Sequence, residues 1–398
     1  MNILILTQHP FPFGLAQTNR LVSIAKGIAS AKSTVKVICT KATELPSKVR
    51  NENAKGEFEN IQFQYSSNNT IRSTSTFSRI YQYYFGMINS LRLIVNENRK
   101  NKVDILFSSY RGFFISFLVF ILTRIYKIKL IHERSEYPFL VYSNSVFGKL
   151  KLKIYLKLVC RLFDGFIVIT NALKKYFETN VSTSKKIYIL PILVEPERFS
   201  IQRNTSIEYI AYCGSMQGEK DGVSILIESF AKIANDFPKL ELHLIGETKF
   251  NGIELLRNKI TELKISQKVK FTGRVERDDL PSHLCNAKIL ALARPANKQA
   301  EGGFPTKLGE YLATGIAVVV TGVGEIPEYL IHNENAYMAI PNNVDDFAEK
   351  LKMALLNDDL SERIGRKGKE LANTTFNYKE QGEKLVNWLN SEMLNIKK

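Results

Sequence analysis

Cysteine is scarce in this 398-residue chain: Cys39, Cys160, Cys213 and Cys285 lie far apart, with no Cys-x-x-Cys spacing and no histidine at ligand spacing. That excludes a disulfide framework and a zinc signature, and reads as reduced thiols of a cytosolic protein, Cys39 and Cys213 within buried strands. A P-loop, a Gly-x-Ser-x-Gly elbow and an Asp-x-Asp tripeptide are also missing, which removes the commonest signatures of phosphate, ester and metal-diphosphate chemistry. No long apolar run is present either. The strongest, Phe113 to Leu122, stops before Arg124, short of the roughly 20 residues a span needs, and reads as a core helix. The opening Asn2-Ile3-Leu4-Ile5-Leu6-Thr7 is too short and uncharged for a secretory leader and suits a buried strand. Internal repeats and low-complexity tracts are absent.

What is there is a globular composition, 44% hydrophobic and 24% charged, with a net charge of +16. The excess is one-sided. Residues 1–199 hold 29 Lys and Arg against 12 Asp and Glu, whereas residues 200–398 hold 26 against 27. The first half is therefore expected to meet something anionic. It carries no recognised nucleic-acid motif. In Phe147–Phe163, by contrast, Lys149, Lys153, Lys157 and Arg161 recur at every fourth residue. Leu152, Leu156, Val159 and Phe163 face the other way, and Leu150, Ile154 and Leu158 border the stripe. A basic amphipathic helix of this kind suits an anionic membrane surface.

Short apolar runs alternate with amphipathic stretches throughout. Strands are expected at 2–7, 35–39, 103–107, 128–132, 166–170 and 187–190, and again at 208–213, 240–245, 269–272, 288–293, 316–321 and 337–340. Near-continuous apolar strands separated by helices indicate parallel sheets covered on both faces. Two such series predict an α/β chain of two doubly wound domains, with a polar linker near 196–207 and a wholly helical tail after about 343. In open α/β sheets, ligands bind beyond the carboxyl ends of the strands. Residues just after strands are thus the candidates.

The richest segment is 294–315, where Arg294 and Pro295 follow a strand and Glu301-Gly302-Gly303-Phe304-Pro305-Thr306-Lys307 leads into a helix holding Glu310 and ending at Gly315. Pro305 is expected in the first helical turn. Free N–H groups and the positive dipole end there suit a pyrophosphate, Lys307 adds a mobile charge, and Glu310 is placed to accept from ribose hydroxyls. This segment resembles the signature of the family-4 retaining glycosyltransferases of the GT-B fold, with Gly303, Phe304, Pro305, Glu310, Ala313, Gly315 and Val318 in register. The family's first Glu falls on Gly302, with Glu301 next door, as in a subgroup with that acidic position relaxed. The loop Tyr212–Gly222 is similar to the family's basic diphosphate loop: Gly214 precedes it, Lys220 matches its Lys, and Ser215 stands where its Arg belongs, leaving Arg294 or Lys307 to supply the second charge. Arg274-Val275 resembles the turn that holds the base. Gly14 is what remains of the N-terminal glycine-rich loop. His132 stands where the family often has a His near the donor sugar.

The resemblance implies two Rossmann-like domains facing across a cleft, an acceptor-binding domain at 1–199, a nucleotide-sugar-binding domain at 200–375, and a last helix at 376–398 returning to the first. It implies a retaining, metal-independent hexosyl transfer, without a cofactor, from a nucleotide-sugar to a glycan or lipid-linked acceptor in cell-surface polysaccharide synthesis. Lys220, His132 and Glu301 are the expected catalytic residues; Gly14, Gly214, Ser215, Arg274, Val275, Arg294, Gly303, Phe304, Pro305, Thr306, Lys307 and Glu310 the donor-binding ones. The expected location is cytoplasmic, with attachment to the inner face of the membrane through 147–163. Competing readings are a nucleotide-sugar-binding protein without transferase activity, a sugar-nucleotide 2-epimerase of the same fold, and a nucleic-acid-binding or base-glucosylating protein.

Overall fold

The apolar run Asn2–Thr7 forms a strand, β1, buried along nearly its whole length, and the rest of the first sheet is laid down around it. The computed structural model describes residues 1–204, 207–218 and 220–396. Thr205 and Ser206 of the expected linker, Glu219 of the loop after residue 213, and Lys397 and Lys398 of the last segment lie outside the described residues. The chain divides into two compact units, Met1–Leu193 with Tyr378–Lys398, and Val194–Asn377.

In unit 1, α1 (Ala16–Ser30) follows β1, then come β2 (Thr34–Cys39), β3 (Lys55–Phe58), β4 (Ile61–Tyr65), α2 (Thr76–Lys100), β5 (Ile105–Ser108), α3 (Phe113–Ile125), β6 (Lys129–Arg134), α4 (Val146–Ile154), β7 (Gly165–Val168), α5 (Asn171–Asn180) and β8 (Lys186–Ile189). The sheet order is β3-β4-β2-β1-β5-β6-β7-β8. All its pairs are parallel except β3 with β4. The chain leaves β1 for β2 on one side and reaches β5 on the other, so the strand order reverses there, a topological switch point.

Unit 2 runs β9 (Tyr209–Cys213), α6 (Val223–Ile233), β10 (Glu241–Ile245), α7 (Ile253–Glu262), β11 (Val269–Gly273), α8 (Leu280–Cys285), β12 (Ile289–Leu292), α9 (Lys298–Gly302), α10 (Thr306–Thr314), β13 (Val318–Thr321), β14 (Tyr337–Ala339), α11 (Val344–Leu356) and α12 (Asp358–Asn373). Its six strands are all parallel, in the order β11-β10-β9-β12-β13-β14. Here the switch point lies between β9 and β12. Asn343 and Asn357 accept from the third backbone N–H of α11 and α12, the cap that their short amide side chains allow.

Among the described residues all twelve expected strands are present, and β3 and β4 are additional. The first break falls at 193/194 rather than 199/200 because residues 194–199 are tied into unit 2. The Val194 N–H bonds to Phe376, Arg277 pairs with Glu195, and Phe199 is 1% exposed. The last helix, α13 (Tyr378–Trp388), packs on α1 within unit 1. A β-carbon at Gly27 or Gly382 would run into the other helix's backbone, so paired glycines let the two helices touch.

Two expected elements differ. The helix at 113–122 is buried on one face only; Phe114, Phe117, Ile121 and Ile125 are exposed, so it is not a core helix. The segment 147–163 is not one α-helix either: α4 gives way to a π turn, Tyr155–Val159, and then a 3₁₀ turn. Its sidedness is largely the expected one, with Leu156, Val159 and Phe163 buried and Leu150, Ile154 and Leu158 exposed, but Leu152, expected to face the core, is only half-buried. Among the described residues no helix is long and apolar enough to cross a membrane.

Candidate functional site

At the unit 2 switch point, the loop after β9 and the loop after β12 converge on the start of α10. Tyr311, one turn before the helix end, accepts from the Cys213 N–H at 2.6 Å and so fixes α10 against the carboxyl end of β9. The first residues of α10 follow Pro305, which is the N-cap rather than a first-turn residue, with ψ 112°. Its dipole end and free N–H groups open beside the β9 loop, the arrangement that suits an anion.

Lys307 projects from that turn into a buried polar knot. Its ammonium pairs with Asp221, whose side chain is 6% exposed, and donates to the Tyr212 hydroxyl at 3.1 Å. The Tyr212 oxygen lies 2.9 Å from Asp221 Oδ2 and 2.7 Å from the Ser215 carbonyl. Lys307 is thus pinned, not the mobile charge expected. Burial alone would raise the Asp221 pKa, but Lys307, Arg294 and Tyr212 together hold it below its ordinary value. Gly214, at φ +155°, makes room for the knot: a β-carbon there would strike the Lys307 ammonium. Arg294 is 2% exposed and donates to the Gln299 carbonyl at 3.2 Å.

Glu310 lies one turn further along α10, its side chain a quarter exposed and 3.8 Å from Arg198. Burial raises its pKa against the pull of Arg198, Arg277 and Lys307. Arg198 also donates to the Arg277 carbonyl at 2.5 Å, and Arg277 pairs with Glu195. Glu195, Arg198, Arg277 and Glu310 therefore form one charged cluster. Sequence reasoning missed Arg198, Arg277 and Asp221 as neighbours of the site; no motif spacing marks them.

The structure brings Gly214, Arg294, Lys307 and Glu310 together, with Ser215 and Thr306 at the rim. Lys220 is exposed beside Asp221. Arg274 and Val275 follow β11, two strands from the switch point. Gly303, Phe304 and Pro305 are buried; the Phe304 ring stacks on Tyr329 at 5.4 Å and meets Phe376 edge-on at 5.7 Å. Its side chain is core, and only its backbone remains for a ligand. Glu301, on α9, is exposed and accepts from Lys298 at 2.7 Å, while neighbouring Ala300 and Gly302 are buried.

In unit 1, Gly14 packs on Thr18, which donates to the Pro10 carbonyl at 2.9 Å. His132 is a correction. It is fully buried, Nδ1 is 2.6 Å from the Ser108 carbonyl, Nε2 is 2.7 Å from the Tyr155 hydroxyl, and its ring stacks on Phe163. Burial and the nearby Arg134 charge push its pKa well down. Both nitrogens are engaged in the core, so the side chain is not presented to a sugar.

Two doubly wound sheets with their switch points define a protein of the GT-B class. The fold is shared with sucrose-phosphate synthase from Thermosynechococcus elongatus, at a TM-score of 0.76 and 14% identity over 99% of both chains. It is shared too with the Anabaena protein HepE in complex with UDP, at 0.70 and 16% over 98% of this chain and 100% of that one. At such identities the likeness shows the fold alone. Residues 194–371, under half of the chain, match the family described as Glycosyl transferases group 1. A GDP-mannose-dependent phosphatidylinositol monomannoside mannosyltransferase of Mycobacterium tuberculosis is 23% identical over 58% of this chain and 64% of its own length. One from Corynebacterium glutamicum, for a monoacylated form, is 28% identical over 45% and 46%. The chain thus matches less than two thirds of either relative.

Proposed function

We propose that the protein is a retaining glycosyltransferase that moves a hexosyl group from a nucleotide-sugar to a glycan or lipid-linked acceptor in cell-surface polysaccharide synthesis. The observation that carries this reading is the placement of Gly214, Arg294, Lys307 and the start of α10 around the unit 2 switch point, with Glu310 one turn beyond. Backbone N–H groups and buried cations there would take the donor diphosphate, and Glu310 the ribose. The names of the mannosyltransferase relatives and of the UDP complex support a GDP- or UDP-sugar donor.

No cofactor or metal enters this reading; Lys307, Arg294 and exposed Lys220 would neutralise the leaving diphosphate. Retention would follow from front-face displacement within a close ion pair. As the sugar–phosphate bond breaks, the departing phosphate oxygen takes the acceptor's hydroxyl proton, and the acceptor oxygen bonds the same face of the sugar. Orientation and charge stabilisation are then the protein's contribution. Thermal stabilisation by a panel of UDP-, GDP- and dTDP-sugars tests donor binding, and the anomeric configuration of the product tests retention. Failure of every nucleotide to raise the melting temperature would refute the reading.

One observation favours a second reading, donor binding without transfer: Gly302 stands at the first acidic position and Glu301 is turned outwards onto Lys298. A donor that binds and is never transferred, to any acceptor tried, would select it.

A cytoplasmic protein attached to an anionic membrane is part of the proposal. Lys149, Lys151, Lys153, Lys157 and Arg161 are exposed beside exposed Phe147, Leu150, Ile154 and Leu158. Helix α3 packs on the adjoining π turn and adds exposed Phe114, Phe117 and Ile125. Each cation near anionic lipid contributes about 1 kcal/mol, and the aromatic residues give an apolar anchor. Sedimentation with anionic liposomes should fall sharply when Lys149, Lys153, Lys157 and Arg161 are changed to Glu. Equal partitioning of the two proteins would remove membrane attachment.

A further inference from the structure

Unit 1 has its own switch point, between β1 and β5, and a pocket opens at the carboxyl ends of β1, β5 and β6. Thr7, His9, Ser108, Arg111, Glu133 and Arg134 are among its lining residues. Its water-accessible volume is about 50 Å³, several times what one water requires, roughly 10–15 Å³.

The charges in it are unevenly spent. Arg20 pairs with Glu133 at 2.8 Å and donates to the carbonyls of Pro191 and Leu190 at 2.8 and 2.9 Å, so one guanidinium and one carboxylate neutralise each other within the fold. Arg134 differs. It is 4% exposed, yet among the described residues its Nε and Nη2 have no hydrogen-bond partner, and its guanidinium lies 5.9 Å from the Tyr155 ring centre. Buried donors are rarely left unmade, because each forfeits its hydration without a replacement. Arg111 stands in the same pocket; burial and the charge of Arg134 lower its pKa, and Glu136, also on the wall, acts the other way. Two nearby guanidiniums, with one local carboxylate already paired to Arg20, call for an anion.

We propose that this pocket binds a phosphate group of the acceptor, through Arg134 and Arg111. The proposal rests on the transferase reading for the word acceptor, while the anion site rests on unit 1 alone. Phosphate fits better than carboxylate because two guanidinium forks and the hydroxyls of Thr7 and Ser108 offer more donors than two carboxylate oxygens accept. Its source is either a soluble sugar phosphate or the phosphate of a lipid headgroup.

Calorimetric titration of the full chain distinguishes these, with inorganic phosphate, glucose 6-phosphate, and dihexanoylphosphatidic acid below its micelle concentration as probes, and glucose as the neutral control. At least one phosphate probe should bind. Arg134→Met and, separately, half-exposed Arg111→Met should weaken it by about tenfold or more, as for loss of a charge-assisted fork. Arg134→Lys should recover part of the loss, and UDP or GDP affinity should stay within about twofold. Preference for glucose 6-phosphate or for the lipid phosphate assigns the source. If Arg134→Met does not fold, Arg111→Met carries the test. The proposal is overturned if no phosphate probe binds, if both variants bind like wild type, or if nucleotide binding falls in step with phosphate. Phosphate binding without any sugar transfer would leave this pocket and remove the transferase reading. Equal transfer to a phosphorylated acceptor by wild type and Arg134→Met would do the reverse.

Discussion

Replacing Lys307 by methionine keeps the stem of the side chain and removes its charge, isolating the Lys307–Asp221 pair. Asp221 would then hold a carboxylate 6% exposed, with the Tyr212 hydroxyl at 2.9 Å and the charge of Arg294 still acting on it. Breaking a buried pair on one side costs roughly 3–5 kcal/mol. The retained partners place the expected loss at the low end, about 3 kcal/mol at pH 7. The sign of its pH dependence follows from Asp221. Burial would raise its pKa, but its partners hold it below the ordinary value in the wild type. The pair's contribution is therefore complete above the unfolded value, about 3.9, and is lost as pH falls through the folded one. Without Lys307 the balance tips to burial, and protonation relieves the variant as pH falls. The gap between the two proteins should be widest near neutrality and close below about pH 4. Adding Asp221→Asn to Lys307→Met removes the orphaned charge and should recover about 1–2 kcal/mol. Native-state hydrogen exchange of the β9 and α10 amides reads the opening of unit 2 separately from unit 1. A loss under about 1 kcal/mol at pH 7, or a double variant no more stable than the single, would refute the buried-pair argument.

Glu310→Gln should weaken nucleotide binding by about 1–3 kcal/mol with the fold intact, as for loss of a charged acceptor; titration with UDP and GDP checks it, and unchanged affinity removes Glu310 from the site. Lys220→Ala should lower turnover more than nucleoside binding, since its exposed position suits the departing phosphate, and a rate within a few-fold of wild type would leave that task to Arg294 and Lys307. Because His132 is held neutral in the folded state, unit 1 should lose stability as pH falls below about 6.5, by up to about 1.4 kcal/mol per unit, and His9, lowered mainly by burial, adds to the slope. Urea unfolding followed by Trp388, the single tryptophan and part of unit 1, measures it; His132→Asn should flatten the slope, and a midpoint constant from pH 7 to 5 would contradict the neutral core histidine.

Fully buried strands such as β7, β12 and β13 were legible because Phe166–Val168, Ile289–Leu292 and Val318–Val320 are apolar without interruption. The hairpin of β3 and β4 was harder. Lys55-Gly56-Glu57-Phe58 carries two charges, as an edge strand can, and Ile61-Gln62-Phe63-Gln64-Tyr65 alternates instead of running apolar. Its signal was the period of two, with Ile61, Phe63 and Tyr65 buried. For Phe113–Leu122, composition could not separate a core helix from one that keeps an apolar face exposed. In the site, Lys307 and Glu310 could be found because the α10 segment is continuous in sequence. Asp221 and Arg277 could not, because their partners Lys307 and Glu195 lie 86 and 82 residues away.

The unit 1 pocket turns on a smaller matter, the length of one strand. A strand ending at His132 would present the histidine to a ligand. Instead β6 runs two residues further, with Glu133 and Arg134 paired to Ile167 and Val168 of β7. Side chains two apart share a strand face, so Arg134 takes the end position on that face and His132 lies two residues back in the core, where Ser108 and Tyr155 satisfy its ring. The two added residues bring Arg134 to the carboxyl end, where ligands of an open α/β sheet bind. The residue to mutate in unit 1 is therefore the arginine two places beyond the one the sequence pattern suggests.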